Sequence, residues 1–257
     1  TSRAALVSPA QLHKLVRLMG LTRETPNEQR NEAINSLWMD GNHSPLSAAL
    51  QLSTLEAATP QEYLAKLDAV AAELPQDYGI RLLVARQTPA AGDMLEEKKK
   101  RLIQAILERP HDPISLMILS DTLADNGYAL GAVVLTGRAL AGWPENYRSW
   151  WSEGYALMNF AWEYRGRNSW EDVPESAKRL FPVLKNAAGR AADMALSKQH
   201  DNSALWVFKM MTIGHYSEEF MQAYSNAIRL NPMNRRAYEM ALNYSLPQWG
   251  GSRKIQD

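Results

Sequence analysis

Ala227-Ile228-Arg229-Leu230-Asn231-Pro232-Met233-Asn234 is the stretch that decides the fold. Ala227 and Ile228 continue an apolar series from Phe220 and Tyr224 at helical spacing, so the stretch begins as the end of an amphipathic helix. Asn231 with Pro232 ends that helix, since proline biases the residue before it away from the helical region. Asn234 then stands as the cap of a new helix carrying Tyr238. Two helices joined by so short a turn must run antiparallel.

The same arrangement occurs earlier in the chain. Ala105, Pro110, Asp112 and Leu116 match Ala227, Pro232, Asn234 and Tyr238 with the same gaps between them. A second alignment lays Asp201, Ala204 and Leu205 over Asn234, Ala237 and Tyr238, 33 residues apart at the cap. The tetratricopeptide period is about 34 residues, and the Ala227–Asn234 stretch resembles the helix end and turn of such a repeat. The resemblance covers two to three repeats between residues 95 and 246. It implies an all-α fold of antiparallel helix pairs stacked as a tetratricopeptide-like solenoid, with the region from Trp143 to Glu175 departing most from the consensus. Leu246-Pro247-Gln248-Trp249-Gly250-Gly251-Ser252 also resembles an uncharacterised bacterial helical family with a Trp-Gly-Gly-Ser element, which implies a bacterial source and no known activity.

Helix-start chemistry recurs outside the repeats. Thr25, Pro26 and Glu28, and again Thr59, Pro60 and Glu62, supply a cap, a first-turn proline and a capping-box glutamate. Asp93 with Glu96 lacks the proline, while Ser8 with Pro9 and Asp112 with Pro113 lack the glutamate. Connections carry turn residues at Gly20, Gly41, Asn126-Gly127 and Gly214. The pattern predicts about eleven helices, divided into an N-terminal helical region over 1–92 and tetratricopeptide-like repeats over 93–257. The absence of an initial methionine and the interrupted helix start after Ser252 lead us to expect a fragment, with the repeats truncated at the C-terminus.

Composition narrows the function classes. Lys plus Arg and Asp plus Glu number 28 each among 257 residues, so no global field favours nucleic acid or an anionic membrane surface. No apolar run approaches the roughly eighteen residues of a membrane span. With no cysteine there is neither thiolate chemistry nor a cysteine zinc site. The five histidines are scattered without metal-ligand spacing, and no phosphate loop, nucleophile elbow or calcium loop is present. No cofactor is expected. Glu96 and Glu97 stand four residues before Lys100 and Arg101, which reads as an exposed ion-paired helix face.

Aromatic residues exceed what a core needs. Six of eight tryptophans lie between Trp143 and Trp206. On a helix from about Tyr147 to Arg165, Trp151, Tyr155, Met158 and Trp162 form one stripe, and Trp150, Leu157, Ala161 and Tyr164 form a second. Either stripe beyond the core packs on a neighbouring helix pair or lines a groove. The partner-binding residues expected are Trp150, Trp151, Tyr155, Trp162, Tyr164, Arg165, Arg167 and Trp170, aromatic anchors with an arginine grip for an acidic or C-terminal peptide segment. The expected function is a non-enzymatic protein–protein interaction module, binding a partner protein or peptide in a concave helical groove, with no nucleic acid and no membrane insertion. Bacterial immunity or secretion-accessory roles fit it, in the cytoplasm, or in the periplasm if an upstream signal was removed. The alternative is an enzyme with a small polar site between Trp143 and Glu175, where Glu171, Asp172 and Glu175 cluster. Far-UV circular dichroism should show an overwhelmingly helical protein; a substantial strand signal would contradict the repeat pattern.

Overall fold

The computed structural model describes residues 54–166 and 169–247, together with Gln29, Ala48, Gln51 and Leu52. All regular structure among them is helical. The expected helix starts at Thr25 and Ser8, the turns at Gly20 and Gly41, Trp38, Arg167 and the Trp249-Gly250-Gly251-Ser252 element lie outside the described residues.

The chain divides into two compact units, Thr1–Glu108 and Arg109–Asp257. In the first, α1 (Pro60–Glu73), α2 (Tyr78–Gln87) and α3 (Met94–Glu108) follow one another. Thr59 caps α1 as the sequence predicts, its hydroxyl accepting from Glu62 N at 3.1 Å. Glu62 reaches back to Ala58 N at 2.9 Å, one residue beyond the usual capping-box partner. Leu67 and Val70 of α1 meet Ile80 and Val84 of α2 in a core shared with Ala48 and Leu52. On α3, Arg101 pairs with Glu97 at 2.7 Å as expected and also reaches Asp68 at 2.8 Å. Glu96, however, pairs with Lys99 at 2.7 Å, taking the i,i+3 neighbour instead of Lys100.

The second unit holds α4 (Pro113–Asp125), α5 (Ala129–Gly142), α6 (Tyr147–Arg165), α7 (Glu175–Lys198), α8 (Ser203–Ile213), α9 (Glu218–Leu230) and α10 (Arg235–Tyr244). They pair in sequence, α4 with α5, α6 with α7 and α8 with α9, while α4 also touches α6 and α8 touches α10, so first helices stack on first helices. Asp112 and Asn234 cap α4 and α10 as the repeat alignment requires. At α8 the cap is Asn202, whose side chain accepts from Ala204 N, and Asp201 stays in the turn. The two caps therefore stand 32 residues apart, and the alignment on Asp201 is one residue out of register.

The corrected register exposes a device repeated at three turns. Four residues after each asparagine cap stands an aromatic that donates to the carbonyl six residues before it. Trp150 Nε1 bonds Pro144 O at 2.7 Å, Trp206 Nε1 bonds His200 O at 2.9 Å and Tyr238 Oη bonds Pro232 O at 3.0 Å. Each ring so satisfies an otherwise free turn carbonyl and fixes how the chain enters the helix. Across the seams an ion triad adds to packing: Lys209 of α8 reaches Asp193 of α7 at 2.7 Å and Glu219 of α9 at 2.9 Å. Burial pulls the Lys209 amine down, and the two carboxylates outweigh it, leaving its pKa raised.

Small residues fill the helix contacts. Ala188, Ala191, Ala192 and Ala195 of α7 and Ala223 and Ala227 of α9 are buried. Ala188→Phe and Ala227→Phe should each overpack these contacts and cost about 1–3 kcal/mol. Thermal melts check this, and unchanged midpoints in both variants would contradict the packing.

Candidate functional site

Helix α6 is long because Asn146 starts it, accepting from Arg148 N at 2.9 Å, and Gly166, at φ 76°, ends it. Its buried positions are Ser149, Ser152, Gly154, Ala156, Met158 and Ala161. These form two seams. Ser149, Ser152 and Ala156 share one face: Ser152 Oγ meets Asp121 Oδ1 of α4 at 3.1 Å, and Ala156 joins Ala124 and Ala132. Gly154, Met158 and Ala161 share the other, where a Cβ added to Gly154 would stand 2.8 Å from the Phe208 ring and 3.0 Å from Ala191 Cβ.

The two aromatic stripes expected from the sequence do not act as units. Met158 of one and Ala161 of the other belong to the same seam, and each stripe ends in an exposed aromatic. At the start of α6, Trp150 and Trp151 pack with Tyr147 and Trp206 on Ala195, Leu196 and Leu205. Tyr155, midway, donates to Asp125 Oδ1 at 2.7 Å. Burial first, and then the Asp125 carboxylate, push its phenol up to about 12.

At the far end the structure assembles a different group. Trp162 is 40% exposed and Trp170 46%, and both set their rings edge-on against Phe181, with centroids 5.0 and 6.3 Å away. The Arg165 guanidinium lies over Trp162 at 5.2 Å, Trp170 at 5.7 Å and Phe181 at 5.9 Å, within cation–π range of all three. Arg165 Nη1 donates to Gly166 O at 3.1 Å, and no carboxylate among the described residues pairs with it. Tyr164, 46% exposed, stands against Phe160 at 6.0 Å. A cleft of about 660 Å³ opens beside this group, lined by Ala124, Gly127, Asn159, Trp162, Glu163, Arg165 and Gly166. Glu163 is itself engaged, its Oε2 accepting from Ala129 N at 2.9 Å at the start of α5.

Of the expected site residues, Trp162, Arg165 and Trp170 thus come together, Tyr164 stands near them in the chain on Phe160, and Trp150, Trp151 and Tyr155 lie elsewhere along α6. Phe181, Asn159 and Glu163 were missed. Phe181 lies in the next helix, where only tertiary packing brings it to Trp162; Asn159 stands one turn before both Trp162 and Glu163, so it and Glu163 are legible from helical spacing.

The acidic group leads into α7 as its sequence suggests. Ser169 Oγ donates to Asp172 Oδ2 at 2.7 Å, and Lys178 pairs with Glu175 at 2.9 Å. Hydrogen bonds, first to its own backbone and then from Ser169, hold the fully exposed Glu171 below its ordinary range. Burial raises the pKa of the Glu153 carboxyl, which accepts from Thr136 between α6 and α5. Among the described residues no cluster of His, Asp and Glu could hold a metal ion, and no helix is long and apolar enough to cross a membrane.

No protein-family model matches this chain and no curated protein matches it. Solved structures do. The IFIT1 monomeric mutant with Gppp-AAAA superposes with a TM-score of 0.64 at 13% identity, over 90% of this chain and 53% of that one. TTC0263, a thermophilic TPR protein of Thermus thermophilus, superposes with a TM-score of 0.51 at 13% identity, over 86% of this chain and 97% of its own. The present chain spans about half the length of the IFIT1 chain. At such identities the likeness establishes the fold: this is an all-helical, tetratricopeptide-like repeat protein.

Tyr155 provides a test of the α4–α6 contact. A phenol raised in the folded state contributes stability that is complete below its unfolded pKa near 10 and is lost as pH rises through about 12. The stability gap between the native protein and Tyr155→Phe should therefore narrow between those values. Denaturant melts across that range check it, and a constant gap would show that Tyr155 does not hold Asp125.

Proposed function

We propose that this protein is a non-enzymatic interaction module that holds an extended segment of a partner protein in the cleft beside Trp162, Arg165 and Trp170. The observation that carries the reading is the concentration of exposed aromatics at one end of α6, around a guanidinium without a carboxylate partner among the described residues. Aromatics and arginine dominate binding hot spots because they give large contact area at small entropy cost. Elsewhere on α6 the large rings are engaged by a turn carbonyl, by Trp206 and Leu205, or by Asp125, so this end is where the helix has contact area to offer. An immunity or secretion-accessory role in a bacterium is the setting we favour, from the C-terminal resemblance.

An enzyme between Trp143 and Glu175 finds less support. A general acid needs a raised pKa; Glu171 is shifted the other way, and Glu153 is raised but bonded to Thr136 in a helix seam. The test is affinity for a partner recovered by pull-down. Trp162→Ala and Trp170→Ala should each weaken it by about thirtyfold or more, near 2 kcal/mol, with little change in the melting midpoint. Competition by an RNA oligonucleotide discriminates the other class, since IFIT1 was solved with Gppp-AAAA. Normal affinity in both variants, or displacement of the partner by RNA, would reject the reading.

A further inference from the structure

We infer that the group entering the cleft at Arg165 is the carboxylate of a single internal acidic side chain on an extended partner segment; this rests on the reading of the cleft as a peptide site. The guanidinium has rings of Trp162, Trp170 and Phe181 around it, all within 6 Å of its central carbon. With three rings beside it, its remaining chemistry lies along the N–H edges of its plane. Of five N–H groups, one goes to Gly166 O, and the rest find no acceptor among the described residues. A planar carboxylate meets such an edge with two parallel hydrogen bonds, which no neutral group reproduces.

Two further features choose the source of that carboxylate. Arg165 is half-buried between its rings, so an anion must be carried in to it. A glutamate side chain does this on a methylene arm, whereas a chain terminus carries its charge on the backbone. The cleft also contains the carboxylate of Glu163, whose Oε2 is on Ala129 N. A second anion in the ligand would be repelled there, so one acidic residue between neutral ones fits, and a polyacidic run does not.

The experiment uses the full chain labelled with nitrogen-15, following the indole N–H resonances of Trp162 and Trp170, assigned by replacing each with Phe. Four probes are titrated: acetyl-Ala-Leu-Glu-Leu-Ala-amide, its Gln counterpart, the Gln peptide with a free terminal carboxylate, and inorganic phosphate. The glutamate peptide should shift both indoles and bind at least about tenfold tighter than the other three, the difference one bidentate pair makes. Arg165→Lys keeps the charge but loses the planar fork, and should lose about tenfold for that peptide alone; Arg165→Gln should abolish the preference. Circular dichroism of both variants shows that they fold. Equal binding of the Glu and Gln peptides would overturn the inference while leaving the cleft a peptide site. Tighter binding of the free terminus or of phosphate would overturn it in favour of those anions. Absence of any shift with all four probes would overturn both the inference and the cleft's role.

Discussion

Gly154 lies under the ring of Phe208, and that contact sets the spacing of the helices on which the second unit depends. A Cβ at position 154 would come within 2.8 Å of two ring carbons and 3.0 Å of Ala191 Cβ, closer than carbon atoms approach without displacement. Glycine inside a helix costs about 0.5–1 kcal/mol relative to alanine. The chain bears that cost so that α6 can lie close against the alanine face of α7 and receive Phe208 from α8. Ser149, Ser152 and Ala156 do the same on the opposite side, toward α4 and α5. Helix α6 is thereby clasped from both sides by small residues.

This arrangement explains where the aromatic rings go. Apart from Met158 the buried positions of α6 are Gly, Ala and Ser, so its aromatic side chains fall beside these seams. Near its start they are taken up by the turn, as when Trp150 bonds Pro144 O, or by Trp206 and Leu205. Beyond Met158 no ring of α6 donates to a turn carbonyl among the described residues. Trp162 and Tyr164 remain partly in solvent, and Arg165 is drawn onto rings from the loop and from α7. The candidate site is thus a consequence of the packing: rings that the seams exclude collect at the helix end where the repeat pattern is interrupted.

Much of the scaffold was legible in the residues. Thr59, Asp112 and Asn234 cap the helices they were expected to cap, and the span from Tyr147 to Arg165 is a single helix. Caps and turns are written locally, in hydrogen bonds spanning two or three residues, so a single sequence carries them. The failures have the opposite character. Acid and amide caps look alike in sequence, so Asp201 and Asn202 are equivalent there, and only backbone geometry shows Asn202 as the cap. Helical spacing groups the aromatics into two stripes, one for the core and one for a seam or a groove, whereas the structure divides both stripes between seam and solvent; Gly154, a glycine amid large residues, is the sign of a close contact there. Phe181 joins Trp162 and Trp170 from another helix, and that meeting depends on how α6 and α7 pack.

A double-mutant cycle at the Gly154 contact tests the account most directly. Gly154→Ala alone should destabilise the protein despite the better helix propensity of alanine. Introduced together with Phe208→Leu, which removes the ring atoms the new methyl would strike, the same change should cost less or become stabilising. Denaturant melts should show a favourable coupling of roughly 1 kcal/mol or more between the two positions, as expected for residues in contact. If the two substitutions add without coupling, or Gly154→Ala alone stabilises, α6 is not held at the distance described and the origin assigned to its exposed aromatic end is wrong.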